Sequence, residues 1–196
     1  MRHLSSAGLI AGGVLLCTPS LAAAHLVTTG MGPLYDGIGH LLLTPEDLVP
    51  VLALALFAGL RGATAGRWTM FLLPLSWLAG GLAGSAADTP IPAPVPAVSI
   101  LLLGALVAAD LRLPPRAVAG LALGFGFVHG FMNGLVLRKG AGTLGLIGIA
   151  TMLFVLVALG SALVVSLGKS PARIAVRVVG SWIAAIGLLM FGWAMR

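Results

Sequence analysis

Long apolar stretches, nearly free of charge, alternate along the chain with short polar or basic segments. Trp68 to Ala87, Ile91 to Ala109, Ala117 to Leu137, Gly140 to Gly168 and Val178 to Met195 are such stretches. Each approaches or exceeds the roughly 20 apolar residues a helix needs to cross a bilayer. A further span is expected between Tyr35 and Leu60. The pattern predicts an all-α polytopic integral membrane protein built as a six-helix transmembrane bundle. In such a bundle every backbone group in lipid is bonded internally.

The first 24 residues read differently. Arg2 supplies a positive start, Ala7 to Cys17 an apolar core, and Pro19 to Ala24 small residues with an A-x-A site. This is the pattern of a secretory signal peptide cut after Ala24. The expected division is therefore residues 1–24 as signal peptide and 25–196 as a six-span transmembrane domain beginning at His25. An uncleaved first helix is the alternative. A lipoprotein reading meets bulky Leu16 where a small residue is expected before Cys17. With the mature N-terminus outside, Arg61, Arg67, Arg112, Arg116, Lys169, Arg173 and Arg177 fall inside, and Arg138, Lys139 and Arg196 outside. Seven against three follows the positive-inside rule of a bacterial-type cytoplasmic (inner) membrane.

Composition sharpens the class. Among 196 residues, 59% are apolar and 8% are charged, against about 25% charged in a soluble domain. Such a chain cannot cover itself with a water-facing surface. The net charge of +6 is spread singly and in pairs between apolar runs, so it reads as topology and not as a nucleic-acid surface. A single Cys17 leaves no internal disulfide framework.

The first span carries unusual chemistry. Its uncharged run, Leu48 to Leu60, has 13 residues, or about 20 Å of helix, too short for a hydrocarbon core of about 30 Å. The helix must borrow from residues 40–47, which draws Glu46 and Asp47 toward the membrane, where acids are costly and usually functional. Thr44-Pro45-Glu46-Asp47 also reads as a helix start, with an N-cap, a proline at N1 and an acid at N3. The two readings coexist if residues 34–43 form a separate half-helix meeting the true helix at Thr44. Pro50 adds a second break by removing a backbone donor. Broken helices of this kind line substrate sites in transporters. In a continuous helix His40 and Asp47 would share a face, with Glu46 about 100° away.

The fourth span is glycine-rich. Gly120 and Gly124, then Gly126, Gly130 and Gly134, make G-x-x-x-G spacings that let helices pack closely, so this helix is expected to be central. Gly80 and Gly84 give the second span a similar seam. His129 lies about 12 Å inside the outer end, with Asn133 one turn further on and Met132 adjacent. A neutral imidazole in lipid needs a partner. It either bonds across helices as a structural group or faces His40 and the acids as a ligand for a transported cation. Gly130 beside it would allow close approach. Asp110, Arg112 and Arg116 read as interfacial residues that snorkel. Ser161, Ser166 and Ser181 read as packing hydroxyls. No G-x-x-x-x-G-K-[ST] phosphate loop is present, and Gly84-Ser85-Ala86 and Gly160-Ser161-Ala162 lack the second Gly of a G-x-S-G signature, so neither direct ATP drive nor an intramembrane serine hydrolase is expected. The protein is not expected to be an enzyme.

Gly37-Ile38-Gly39-His40-Leu41-Leu42-Leu43-Thr44-Pro45-Glu46-Asp47-Leu48 resembles the first-span motif of the HupE/UreJ family, a His followed six residues later by an acid and then a second His. Phe127-Val128-His129-Gly130-Phe131-Met132-Asn133-Gly134 resembles its second motif, roughly F-H-G-x-A-H-G-x-E. Asp47 stands in place of the second His of the first motif. In the second motif, Asn133 replaces a His and Val136 the closing Glu. The resemblance implies a nickel or cobalt permease, or an accessory protein linked to hydrogenase or urease. It implies that His40, Glu46 and His129 handle metal. His25 would be the first ligand met outside, and Asp47 would join the intramembrane site, with Asn133, Met132 and Gly130 supporting it. The oxygen-richer donor set suits harder ions than imidazoles do. The expected partners are the lipid bilayer and a divalent ion, nickel or cobalt, as cargo, with no permanently bound cofactor and no nucleic acid. The alternative is a non-transporting accessory protein for metalloenzyme maturation or another partner. Polar clusters on spans one and four, which run in opposite directions, also fit a three-plus-three inverted repeat.

Overall fold

The computed structural model describes residues 28–196 apart from 90, 93 and 168–170. The expected signal peptide, Cys17 and His25 lie outside the described residues. Those described form α1 (Pro33–Leu43), α2 (Pro45–Arg61), α3 (Ala63–Ser85), α4 (Val95–Ala109), α5 (Pro115–Leu137), α6 (Gly142–Ser166) and α7 (Ala172–Ala194), with no strand among them. Prolines open α1, α2 and α5 at the first helical position, where no intrahelical N–H is needed. Gly62 separates α2 from α3 at φ +105°, a conformation that side chains other than glycine rarely adopt.

The expected half-helix is present. α1 and α2 meet at Thr44 with a bend of 77°, so His40 and Asp47 do not lie on one continuous helix. α5, α6 and α7 are each long and apolar enough to cross a membrane, and the bent pair makes a fourth span if α1 and α2 count as one. α4 has 15 residues, about 22 Å of helix, less than a full crossing. α3 has the length, at 23 residues, but glycine, serine, threonine and Arg67 dilute its hydropathy. Each of the six expected spans contains helix among its described residues, while length and composition support three to four crossings.

The helix enclosed on all sides is α2, which packs against each of the other six. This departs from the expectation that the fourth span is central. Val51, Leu54 and Phe57 of α2 have no exposed surface. Their shielding by protein explains how a span with so short an apolar run persists, since its sides meet other helices and little lipid.

α5 is joined tightly to α3. A methyl group added at Gly130 would lie 2.1 Å from the Trp77 carbonyl oxygen, and one at Gly134 2.0 Å from that of Gly81. From the other side, Gly80 and Gly84 meet the carbonyls of Phe127 and Phe131. Only glycine allows backbones this close. The expected seam therefore holds for Gly126, Gly130 and Gly134. It does not hold for Gly120 and Gly124, where an added methyl meets nothing within 4 Å. Those two glycines lie on another face of α5 and border a cavity.

Candidate functional site

Asp47 sits at the third position of α2, and its amide donates to the Thr44 carbonyl at 3.0 Å. Thr44 takes the N-cap position in an extended conformation, but neither its side chain nor another caps the helix start. The Asp47 carboxylate turns instead toward α5. It lies in the first turn of α2.

The carboxylate is engaged on both oxygens. His129 Nδ1 lies 2.8 Å from Oδ1, and Asn133 Nδ2 donates to Oδ2 at 2.8 Å. Asn133 Nδ2 also donates to the His129 carbonyl at 3.0 Å. Two acceptors on one nitrogen fix the amide orientation, which leaves Asn133 Oδ1 buried and without a donor. On the far side of the imidazole, Nε2 lies 3.1 Å from Ser99 Oγ on α4. With Asp47 ionised, Nδ1–H donates to it. Nε2 of the neutral ring then accepts from Ser99, whereas in the imidazolium it donates.

Aromatic rings complete the enclosure. Phe125 lies 4.2 Å from His129 by ring centroids and Trp77 lies 5.7 Å away. His129 has no exposed surface, and Asp47 and Asn133 have 4% and 3%. Trp77 Nε1 is a second buried polar atom without a partner. Buried polar atoms are nearly always paired, so an unpaired acceptor and an unpaired donor on residues flanking one imidazole mark this place in the bundle.

The sequence-derived residues divide on this geometry. Asp47, His129 and Asn133 come together although 82 and 86 positions separate them, at a small contact where the start of α2 touches α5. Gly130 belongs to that seam through Trp77. Met132 is half-buried. Glu46 is exposed and borders a separate cavity of about 400 Å³ with Pro96, Ala97, Leu189, Met190 and Trp193. His40 is half-buried on α1, and no hydrogen bond joins it to the Asp47 cluster. Among the described residues no three His, Cys, Asp or Glu side chains gather as a metal-holding group.

Ser99, Phe125 and Trp77 were not singled out from the sequence. The signal for Ser99 was present, since it is the one hydroxyl in the run Ile91 to Ala109. Ser99 and Phe125 also border a cavity of about 660 Å³ between α4 and α5, walled mainly by apolar side chains. Asp110, expected at the interface, pairs with Arg61 and, at 3.7 Å, with Arg173.

A family model described as HupE / UreJ protein matches residues 13–190 of the 196 in the chain. No curated protein and no solved structure matches it.

Proposed function

The chain belongs to the HupE/UreJ family, and from that premise we propose that it is a permease-like protein that moves a divalent transition-metal ion, nickel or cobalt, across the cytoplasmic membrane. The observation that carries this reading is the buried Asp47–His129–Asn133 cluster with its unpaired amide oxygen. One imidazole nitrogen, one carboxylate and one amide oxygen are three donors of the kinds that bind such ions. A metal ion would take the Nδ1 lone pair or Nε2 only after displacing the Asp47 or Ser99 hydrogen bond. The break at Thr44 provides the joint through which α1 could move against α2. In this reading a signal peptide precedes the transmembrane domain, the mature N-terminus faces outside, and His25, His40 and Glu46 meet the ion before the buried cluster does. Nothing in this role is enzymatic.

A second reading has its own support. Both Asp47 oxygens and both His129 nitrogens already have partners, as in a structural network that aligns helices in a non-transporting accessory protein. Uptake of radioactive nickel and cobalt into proteoliposomes containing the purified chain separates the two. The permease reading expects uptake above that of protein-free vesicles, falling at least tenfold in Asp47→Asn and His129→Ala. Uptake equal to the protein-free level would leave the accessory reading standing.

A further inference from the structure

A second concentration of charge lies at the far end of α2, and the Asp47–His129–Asn133 cluster does not involve it. Arg61 is 14 residues beyond Asp47, about 21 Å along the helix. Leu60, Arg61, Asp110, Arg112, Arg173 and Arg177 line one cavity of about 700 Å³. They come from the end of α2, the segment after α4 and the first turns of α7. Four guanidinium groups there face one carboxylate.

Asp110 does not exhaust that charge. It pairs with Arg61 and stands 3.7 Å from Arg173. It ends α4 in the left-handed conformation at φ +49°, a backbone state that aspartate tolerates better than most residues. Arg173 also donates to the Leu60 carbonyl at 3.3 Å, and Arg177 Nε donates to the Ala108 carbonyl at 3.0 Å. Arg112 is exposed. The Arg61 side chain is only 7% exposed, its guanidinium lies 5.5 Å from the Phe57 ring centre, and its Nε is buried without an acceptor. An unpaired donor on a buried cation is costly. It calls for an acceptor in the cavity that Arg61 lines.

We propose that this cavity binds a phosphate group, carried either by an anionic phospholipid or by a soluble phosphate. The planar fork of arginine matches phosphate oxygens two at a time. Three positive charges in excess of the one carboxylate favour an anion and repel a metal ion. Exposed Ile174 in the same lining offers an apolar flank of the kind an acyl chain covers. Basic pockets between transmembrane helices take acidic headgroups by the same logic. Asp110 and Arg173 position Arg61, while Arg112 and Arg177 supply the outer charge.

The test uses the purified full chain in neutral detergent, followed by thermal unfolding. Phosphatidylglycerol, phosphatidylcholine and inorganic phosphate are titrated separately, with chloride matching ionic strength. Phosphatidylglycerol is expected to raise the melting temperature and phosphatidylcholine to leave it unchanged. A shift with inorganic phosphate and none with phosphatidylglycerol would support the site and assign it to a soluble ligand. Arg112→Ala with Arg177→Ala should weaken apparent affinity about 25-fold, from about fivefold per basic residue near a headgroup. If the double variant does not fold, Arg112→Ala alone, at an exposed position, should weaken it about fivefold. Equal responses to all three additives, or wild-type affinity in the variant that folds, would overturn the proposal.

Discussion

The two polar regions at opposite ends of α2 solve the same problem in different ways. Around Asp47 the carboxylate, imidazole and amide satisfy one another almost completely and are sealed by Phe125 and Trp77. Around Arg61 the positive charges outnumber the negative, the cavity is bordered by exposed arginines, and a buried donor stays unpaired. A cluster whose members bond mostly to one another can exist deep among helices. A cationic one persists only where solvent, headgroups or an anion can reach it. The contrast separates a cluster closed upon itself from a cationic cavity open at its edge.

Breaking the sealed region should cost most. Asp47→Ala leaves His129 and Asn133 buried without their acceptor and should destabilise the protein by about 3–5 kcal/mol, read by denaturant titration in micelles. A loss below about 1 kcal/mol would mean that the network contributes little to folding.

The seam that holds His129 beside Asp47 comes next. Gly130→Ala puts a methyl group against the Trp77 backbone and should cost about 2–3 kcal/mol by overpacking. Gly120→Ala has open space and should instead be neutral, or stabilising by about 0.5–1 kcal/mol, through helix propensity. Equal effects at the two glycines would contradict the assignment of different faces of α5.

At the open region the effect should be smaller. Asp110→Ala removes the partner of Arg61, but Asp110 keeps 27% of its side-chain surface exposed, so water and Arg173 rearrangement soften the loss to about 1–2 kcal/mol. Smallest of all, Arg112→Ala should change stability by less than about 0.5 kcal/mol while weakening phosphate binding. A large stability loss there would make Arg112 a structural residue.

Much of the helical pattern was legible beforehand. The half-helix ending near Thr44 followed from a run too short to cross hydrocarbon together with Thr44-Pro45, and the structure breaks there. Asp47 and His129 stood out because ionisable groups in apolar runs are costly wherever they are left alone. Their meeting could be suspected but not read, since 82 positions separate them. The same reasoning added His40 and Glu46, which the bend and the turn of α2 carry elsewhere. Periodicity put Glu46 about 100° from Asp47 but set His40 on the same face as Asp47, because it assumes a straight helix.

What the amino-acid order determined alone is local: apolar runs become helices, prolines open them, and clustered glycines mark places where backbones can touch. Those outcomes depend on forces acting within a few residues. Which glycines touch, which acid reaches the imidazole, and that four arginines share one cavity were decided by how the helices assemble. Identical local patterns at Gly120 and Gly130 end in open space and in tight contact. The difference lies in the neighbour each face of α5 meets, and that depends on packing across the whole bundle.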